Sequence, residues 1–306
     1  CDLCGSAKHN ILFAQTDILQ NSTKEKFNMV ECEDCGLNFL NPRPTQDEIG
    51  KYYSDQYGDG IFHSHQSFLK KKSIQIFRLI SNLVFLDNNP LLNFIGRTLL
   101  IPFFYLGISK HKLVHNLHPK IKSYLDISDK GKILDIGCGA GMHVHMYGYK
   151  ESIISLSKKG WDVYGIEPSI GAKELLKKNG IENVYHELLG SNLEDNFFDV
   201  VRMNWSLEHV HYPTLYLEEC KRIIKPGGKI IINVPNSNGI IYKIFPNCVE
   251  VPIHLFSFST DSFKKYCDKV DLKVVNYFTF STLGLFLTGM NLMGRSDIDK
   301  YYVKNH

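Results

Sequence analysis

The chain has 306 residues, 43% of them hydrophobic and 22% charged, with a net charge of +3. That length accommodates one sizeable α/β domain with a small appendage, and the composition is that of an ordinary globular protein. The mild charge excludes the strongly basic stripe expected of a nucleic-acid binder. No secretory leader is legible and no 18-residue uncharged apolar run occurs, so a cytoplasmic location is expected. The chain opens at Cys1 rather than methionine, and a few residues upstream are expected.

The first region, 1–58, carries two C-x-x-C pairs, Cys1 with Cys4 and Cys32 with Cys35, each followed by a glycine, Gly5 or Gly36. Two such knuckles can present four thiolates tetrahedrally, which suits structural zinc. Disulfides and a redox pair are the other readings, and a cytosolic setting disfavours structural disulfides. The remaining cysteines, Cys138, Cys220, Cys248 and Cys267, fall in or near expected core elements and read as buried thiols. The segment NPRP at 41–44 then bridges to a stretch holding Tyr52, Tyr53 and Tyr57.

Residues 59–130 are rich in Leu, Ile and Phe and are expected to form a helical insert or lid. The stretches 74–86 and 91–108 are its most apolar parts. Arg97 and Pro102 make the second a poor spanning helix. A second reading is an interfacial helix pair, giving peripheral membrane contact through 74–108 with help from Lys70, Lys71, Lys72 and Arg78.

From 131 to 306 strand and helix patterns alternate, as in a parallel sheet with crossovers. Strands are expected at 132–136, 162–167, 183–187, 198–203, 229–234 and 273–280, with helices at 153–159, 170–179, 214–224 and 260–269. Pro226, Gly227 and Gly228 supply a turn before the fifth strand. No seventh strand is legible after Ser281, so the end of the domain is expected to be truncated or irregular.

The segment KILDIGCGAG at 132–141 runs an apolar strand into Gly137, Gly139 and Gly141. Bare backbone there lets a ligand lie close. A dinucleotide fingerprint would need its third glycine at position 142, which is Met142. The spacing therefore disfavours an NAD-dependent dehydrogenase. With FFDVV at 197–201, LEHV at 207–210, LEECKRIIKPGG at 217–228 and INVPN at 232–236, the loop closely resembles class I S-adenosylmethionine (AdoMet) methyltransferases. HLFSFS at 254–259 and the N-terminal CxxCG…CxxCGL…NPRPT pattern are similar to a subgroup of bacterial sugar and small-molecule methyltransferases, often from surface-polysaccharide pathways.

The resemblance implies a Rossmann-like sheet with helices on both faces, a zinc module and a helical insert. It implies that the glycine loop, with Cys138 and Asp135, holds the amino-acid part of AdoMet, and that Glu167 takes the ribose hydroxyls with Pro168 beside it. Glu187 and Asn204 are further cofactor candidates. Glu167 stands 30 positions after Gly137, where about 20 is usual. An insertion at 142–150, with His143 and His145, accounts for the surplus.

A hydroxyl or acidified carbon acceptor must lose a proton, and histidine is the commonest group to take it. His254 and His209 are the leading candidates, in that order, with Glu208 as their neighbour and His211 at the rim. Glu208, His209 and His254 could alternatively hold a divalent metal, although Trp205 replaces the first glutamate of the Glu-x-x-Glu-His pattern of some relatives. The expected substrate is a sugar, nucleotide-linked sugar or related metabolite, with O-methylation ahead of N- or C-methylation. A zinc-ribbon RNA-modifying protein is the other alternative, but region 1–58 is net acidic and no nucleic-acid partner is expected.

Overall fold

Ile133, Leu134 and Ile136 are almost wholly buried and belong to the central strand of a five-stranded parallel sheet. The computed structural model describes residues 1–17, 22–53, 125, 130–141, 151–239, 242, 249–277 and 279. The expected helical stretches at 74–86 and 91–108, the 142–150 insertion with His143 and His145, Cys248, and all residues beyond 280 lie outside the described residues.

Nine strands are described: β1 (His9–Gln15), β2 (Phe27–Cys32), β3 (Asn38–Leu40), β4 (Lys132–Ile136), β5 (Asp162–Ile166), β6 (Val184–Tyr185), β7 (Phe198–Asn204), β8 (Ile224–Asn233) and β9 (Phe256–Ser257). The described α-helices are α1 (Gln46–Ile49), α2 (Ile153–Lys158), α3 (Ile170–Lys178), α4 (Pro213–Ile223) and α5 (Thr260–Lys269). Serine hydroxyls start three of them. Ser152 accepts from the Ser155 amide, Ser169 from Ala172 and Ser259 from Ser262, each satisfying an amide that has no partner within its helix.

The parallel sheet runs β6-β5-β4-β7-β8. The chain winds outward from β4 through β5 to β6, then crosses back to place β7 on the other side of β4. Such a reversal opens a crevice at the carboxyl ends of the two central strands, which is where open α/β sheets bind ligands. The glycine loop leaves β4 there, and Ser206 through His209 leave β7 there.

Two expectations change. The sixth strand expected at 273–280 is absent from the described residues, because 273–277 are exposed and irregular. No described strand pairs with this stretch. The fifth strand also begins earlier than expected. β8 starts at Ile224 opposite Phe198, and Lys229 is already opposite Val200, so the Pro-Gly-Gly segment loops out within the strand.

The second sheet is antiparallel, in the order β1-β2-β3-β9. Its first three strands come from the cysteine region, whereas β9 comes from the distant segment after His254. A single apolar cluster joins Met29, Val30 and Leu40 to Leu134, Val201, Phe256 and Tyr266. The N-terminal region is thus packed against the parallel-sheet domain.

Gly141 has φ +74°, and a Cβ there would overlap Leu176 and lie 3.1 Å from Ile154. Gly141→Ala should therefore destabilise the fold by about 1–3 kcal/mol, the usual cost of overpacking. Denaturant unfolding measures this, and an unchanged midpoint would contradict the packing account.

Candidate functional site

The glycine loop is built by close approach. Gly137 (φ +76°) and Gly139 (φ +53°) adopt left-handed backbone that side-chained residues rarely take. A Cβ on Gly137 would come within 2.7 Å of the Ser206 side chain, whose hydroxyl donates to the Ile136 carbonyl at 2.8 Å. The ends of β4 and β7 are thereby held together. Cys138 points inward, with its sulfur 2.7 Å from where a Gly165 Cβ would lie, so this residue offers the crevice its backbone rather than its thiol.

Glu167, at the end of β5, is nearly buried and spans the loop. One carboxylate oxygen accepts from the Gly139 amide and the other from the Ser169 amide, both at 2.8 Å. Burial raises its pKa, while these two amides pull the other way. Each oxygen keeps acceptor capacity for a further donor, as a diol ligand would require. Pro168 is exposed beside it, and Glu187 is exposed after β6. The Asn204 side-chain oxygen accepts from Asn233 at 3.0 Å, linking the ends of β7 and β8.

Asp135 occupies its expected place on β4, but its carboxylate has a partner that the sequence reading missed. Arg202, beside it on β7, donates Nε and Nη2 to the two carboxylate oxygens at 3.1 and 2.5 Å. Its Nη1 donates to the Glu151 carbonyl at 2.9 Å, just before α2. A charged residue inside the apolar run FDVVRMN was the available signal, since a buried guanidinium needs a carboxylate.

Beyond the carboxyl end of β7 and just before β9, the structure brings Glu208, His209 and His254 together, with their ligand atoms all within 4.8 Å of one another. The two imidazoles meet edge to face at 4.7 Å between ring centres. His209 Nδ1 lies 3.0 Å from the Ile253 carbonyl, which can only accept, so Nδ1 carries the proton and Nε2 holds the ring's lone pair. Burial depresses the His209 pKa to about 4 and that of His254 well below the ordinary value, so both rings are neutral near pH 7. His254 Nε2 lies 3.9 Å from Glu250, and His209 Nε2 lies 4.0 Å from Glu208.

Glu208 is fully buried, and neither carboxylate oxygen has a hydrogen-bond partner among the described residues. Burial pushes its pKa up to about 8, so the neutral acid prevails at pH 7. Tyr53 was read only as part of a tyrosine-rich stretch. Its hydroxyl lies 3.3 Å from His209 Nδ1, which places the N-terminal region against the crevice. His211 instead faces the Pro44 carbonyl at 2.9 Å.

The four N-terminal cysteines converge as expected. Cys1 and Cys35 sulfurs are 3.5 Å apart, as are those of Cys4 and Cys32, and all four lie within 4.8 Å. Tetrahedral zinc with bonds of about 2.3 Å needs sulfurs separated by about 3.8 Å, so the donor set fits that ion. Gly5 and Gly36 turn through positive φ and donate to the Cys1 and Cys32 carbonyls at 2.9 Å.

A methyltransferase-domain family model matches residues 110–277, more than half of the chain. The chain belongs to that family and is an AdoMet-dependent methyltransferase. It is 27% identical over 168 residues to the ubiquinone biosynthesis O-methyltransferase of Pseudomonas entomophila, covering 52% of this chain and 68% of that one. The corresponding enzyme of Stutzerimonas stutzeri is 29% identical with the same coverage. Among solved structures, a methyltransferase of Thermotoga maritima, described as a possible histamine N-methyltransferase, has 22% identity and a TM-score of 0.39 over 56% of this chain and 79% of that one. Family membership sets aside the dehydrogenase alternative.

The Glu208 geometry generates a pH prediction. A carboxyl whose folded pKa lies above its unfolded value contributes stability at low pH that is lost as pH rises. Between pH 4.5 and about 8, the chain should lose about 1.4 kcal/mol of stability per pH unit relative to Glu208→Gln. Parallel denaturation curves for the two proteins across that range would contradict the burial of an acid at 208.

Proposed function

We propose that this methyltransferase modifies a hydroxyl of a sugar, nucleotide-linked sugar or related small metabolite, in surface-polysaccharide assembly. The observation that carries the reading is the pair of neutral imidazoles beside Glu208, at the carboxyl end of the strand next to the one that leads into the glycine loop. A hydroxyl acceptor needs a nearby base, and the O-methyltransferase names of the relatives agree with that acceptor class. Similarity to the sugar-modifying subgroup supports the substrate class. The net acidic N-terminal region argues against a polynucleotide.

Bound AdoMet supplies an electrophilic methyl carbon on a sulfonium, and the chain supplies position and a place for the proton. Backbone at Gly137, Cys138, Gly139 and Gly141 would receive the amino-acid end of the cofactor, with Asp135 and Arg202 beneath it. Glu167 would take the ribose hydroxyls, and Pro168, Glu187 and Asn204 would line the remaining cofactor edge. The His209–His254 pair would take the acceptor hydroxyl's proton, while the oxygen would take the methyl as its bond to the sulfonium breaks and the neutral thioether leaves. The Ile253 carbonyl keeps the ring proton on His209 Nδ1, so Nε2 is the nitrogen that would take the acceptor's proton, and His254 packs against that ring.

Zinc held by Cys1, Cys4, Cys32 and Cys35 is structural, since four protein ligands leave no open position. Metal analysis of purified native protein should find one zinc per chain. A metal-free protein that is folded and active would rule out that role.

Calorimetry should show AdoMet binding that Glu167→Ala weakens by about one to two tenfold steps, the worth of hydrogen bonds to a charged group. His209→Ala should lower turnover about 10²- to 10⁴-fold without changing AdoMet affinity, and His254→Ala should lower it as well. Near-full turnover in both histidine variants across the pH range would overturn the assignment.

A further inference from the structure

The catalytic wall is not made by the parallel sheet alone. β9 follows His254 directly and is hydrogen-bonded to β3, with Phe256 opposite Phe39 and Ser257 opposite Asn38. β3 begins three residues after Cys35 and pairs with β2, which ends at Cys32. Leu255 lies between the two halves. Its amide donates to the Glu208 carbonyl at 2.8 Å, and its carbonyl accepts from the Leu40 amide at 2.9 Å.

A second link leaves the first knuckle. The Asp2 carboxylate, between Cys1 and Cys4, accepts from the Thr214 amide at 3.1 Å and the Thr214 hydroxyl at 2.7 Å. It therefore caps α4, the helix that follows the Glu208–His209 turn, and its charge suits the positive end of that helix. Lys269 donates to the Asp2 carbonyl at 2.8 Å and Lys265 to the Cys35 carbonyl at 2.9 Å, so α5 is fastened to both knuckles.

We infer that the cysteine cluster is a positioning device for the methyl acceptor: through Asp2 and the Leu255 peptide it sets the placement of His209 and His254. This rests on the proposed zinc and on the acceptor role of the two histidines. None of these links touches Gly137, Gly139, Gly141 or Glu167. Loss of the metal should therefore release the acceptor wall and leave cofactor binding intact.

The test removes zinc from the full chain with a chelator and follows amide exchange, AdoMet affinity and turnover together. Exchange at Leu40, Leu255 and Phe256 should accelerate about tenfold or more, as local opening requires. Turnover should fall by about tenfold or more, because small misplacement of a reacting group is costly. AdoMet affinity should hold, and added zinc should restore both changes. With zinc retained, Asp2→Ala should lower turnover, and Asp2→Asn should recover it because its amide oxygen can still accept from Thr214.

Unchanged exchange and turnover after chelation would overturn the inference. So would AdoMet affinity falling in step with activity, since the cluster would then hold up the whole fold. Full turnover of zinc-loaded His209→Ala and His254→Ala would condemn the histidine roles instead, whatever the exchange data show.

Discussion

The buried pair of Asp135 and Arg202 ties the cofactor side of the molecule together. Removing two charges from water is costly, and the cost is recovered only when the ions meet with good geometry and their other polar atoms are satisfied. Here the guanidinium engages both carboxylate oxygens and also the Glu151 carbonyl. One side chain thus connects β7, β4 and the entrance to α2. The glycine loop begins two residues after Asp135, so its origin is fixed by charge as well as by the sheet.

Close backbone packing then determines what the loop can do. Gly137 lies against Ser206, and Gly141 lies against Leu176 and Ile154. These contacts leave no room for side chains at either position. The amide of Gly139 is held by Glu167, which also receives Ser169 at the start of α3. One carboxylate therefore joins the loop to the next helix before any ligand arrives, so the site is largely preorganised.

The cluster of Glu208, His209 and His254 has the opposite character. Glu208 is buried without a hydrogen-bond partner among the described residues, and two imidazoles are held neutral beside it. Such groups weaken a fold, and they are retained where polar atoms must be ready to meet a ligand. Trp205, just before this turn, takes a left-handed backbone at φ +58° that is unusual for a bulky residue. Strain and unsatisfied polarity coincide at the carboxyl end of β7.

Much of this was legible in one dimension because local chemistry specifies it. The run KILDIGCGAG dictates a buried strand and a turn that only glycine accommodates. Two C-x-x-C pairs with trailing glycines define convergent knuckles, and the tertiary structure does bring their sulfurs together. Pairing between distant segments is not written locally. Asp135 and Arg202 are 67 residues apart, Asp2 and Thr214 are 212 apart, and β3 meets β9 across more than 200 positions. The strand expected at 273–280 is likewise not found among the described residues, where 273–277 are exposed. The parallel fold, the glycine turn and the four clustered cysteines are written in the chain, because spacing and residue type act over a few positions. That Arg202 neutralises Asp135, and that the cysteine region packs beside His209 and His254, emerges only in three dimensions, because those contacts exist only once the chain has closed on itself.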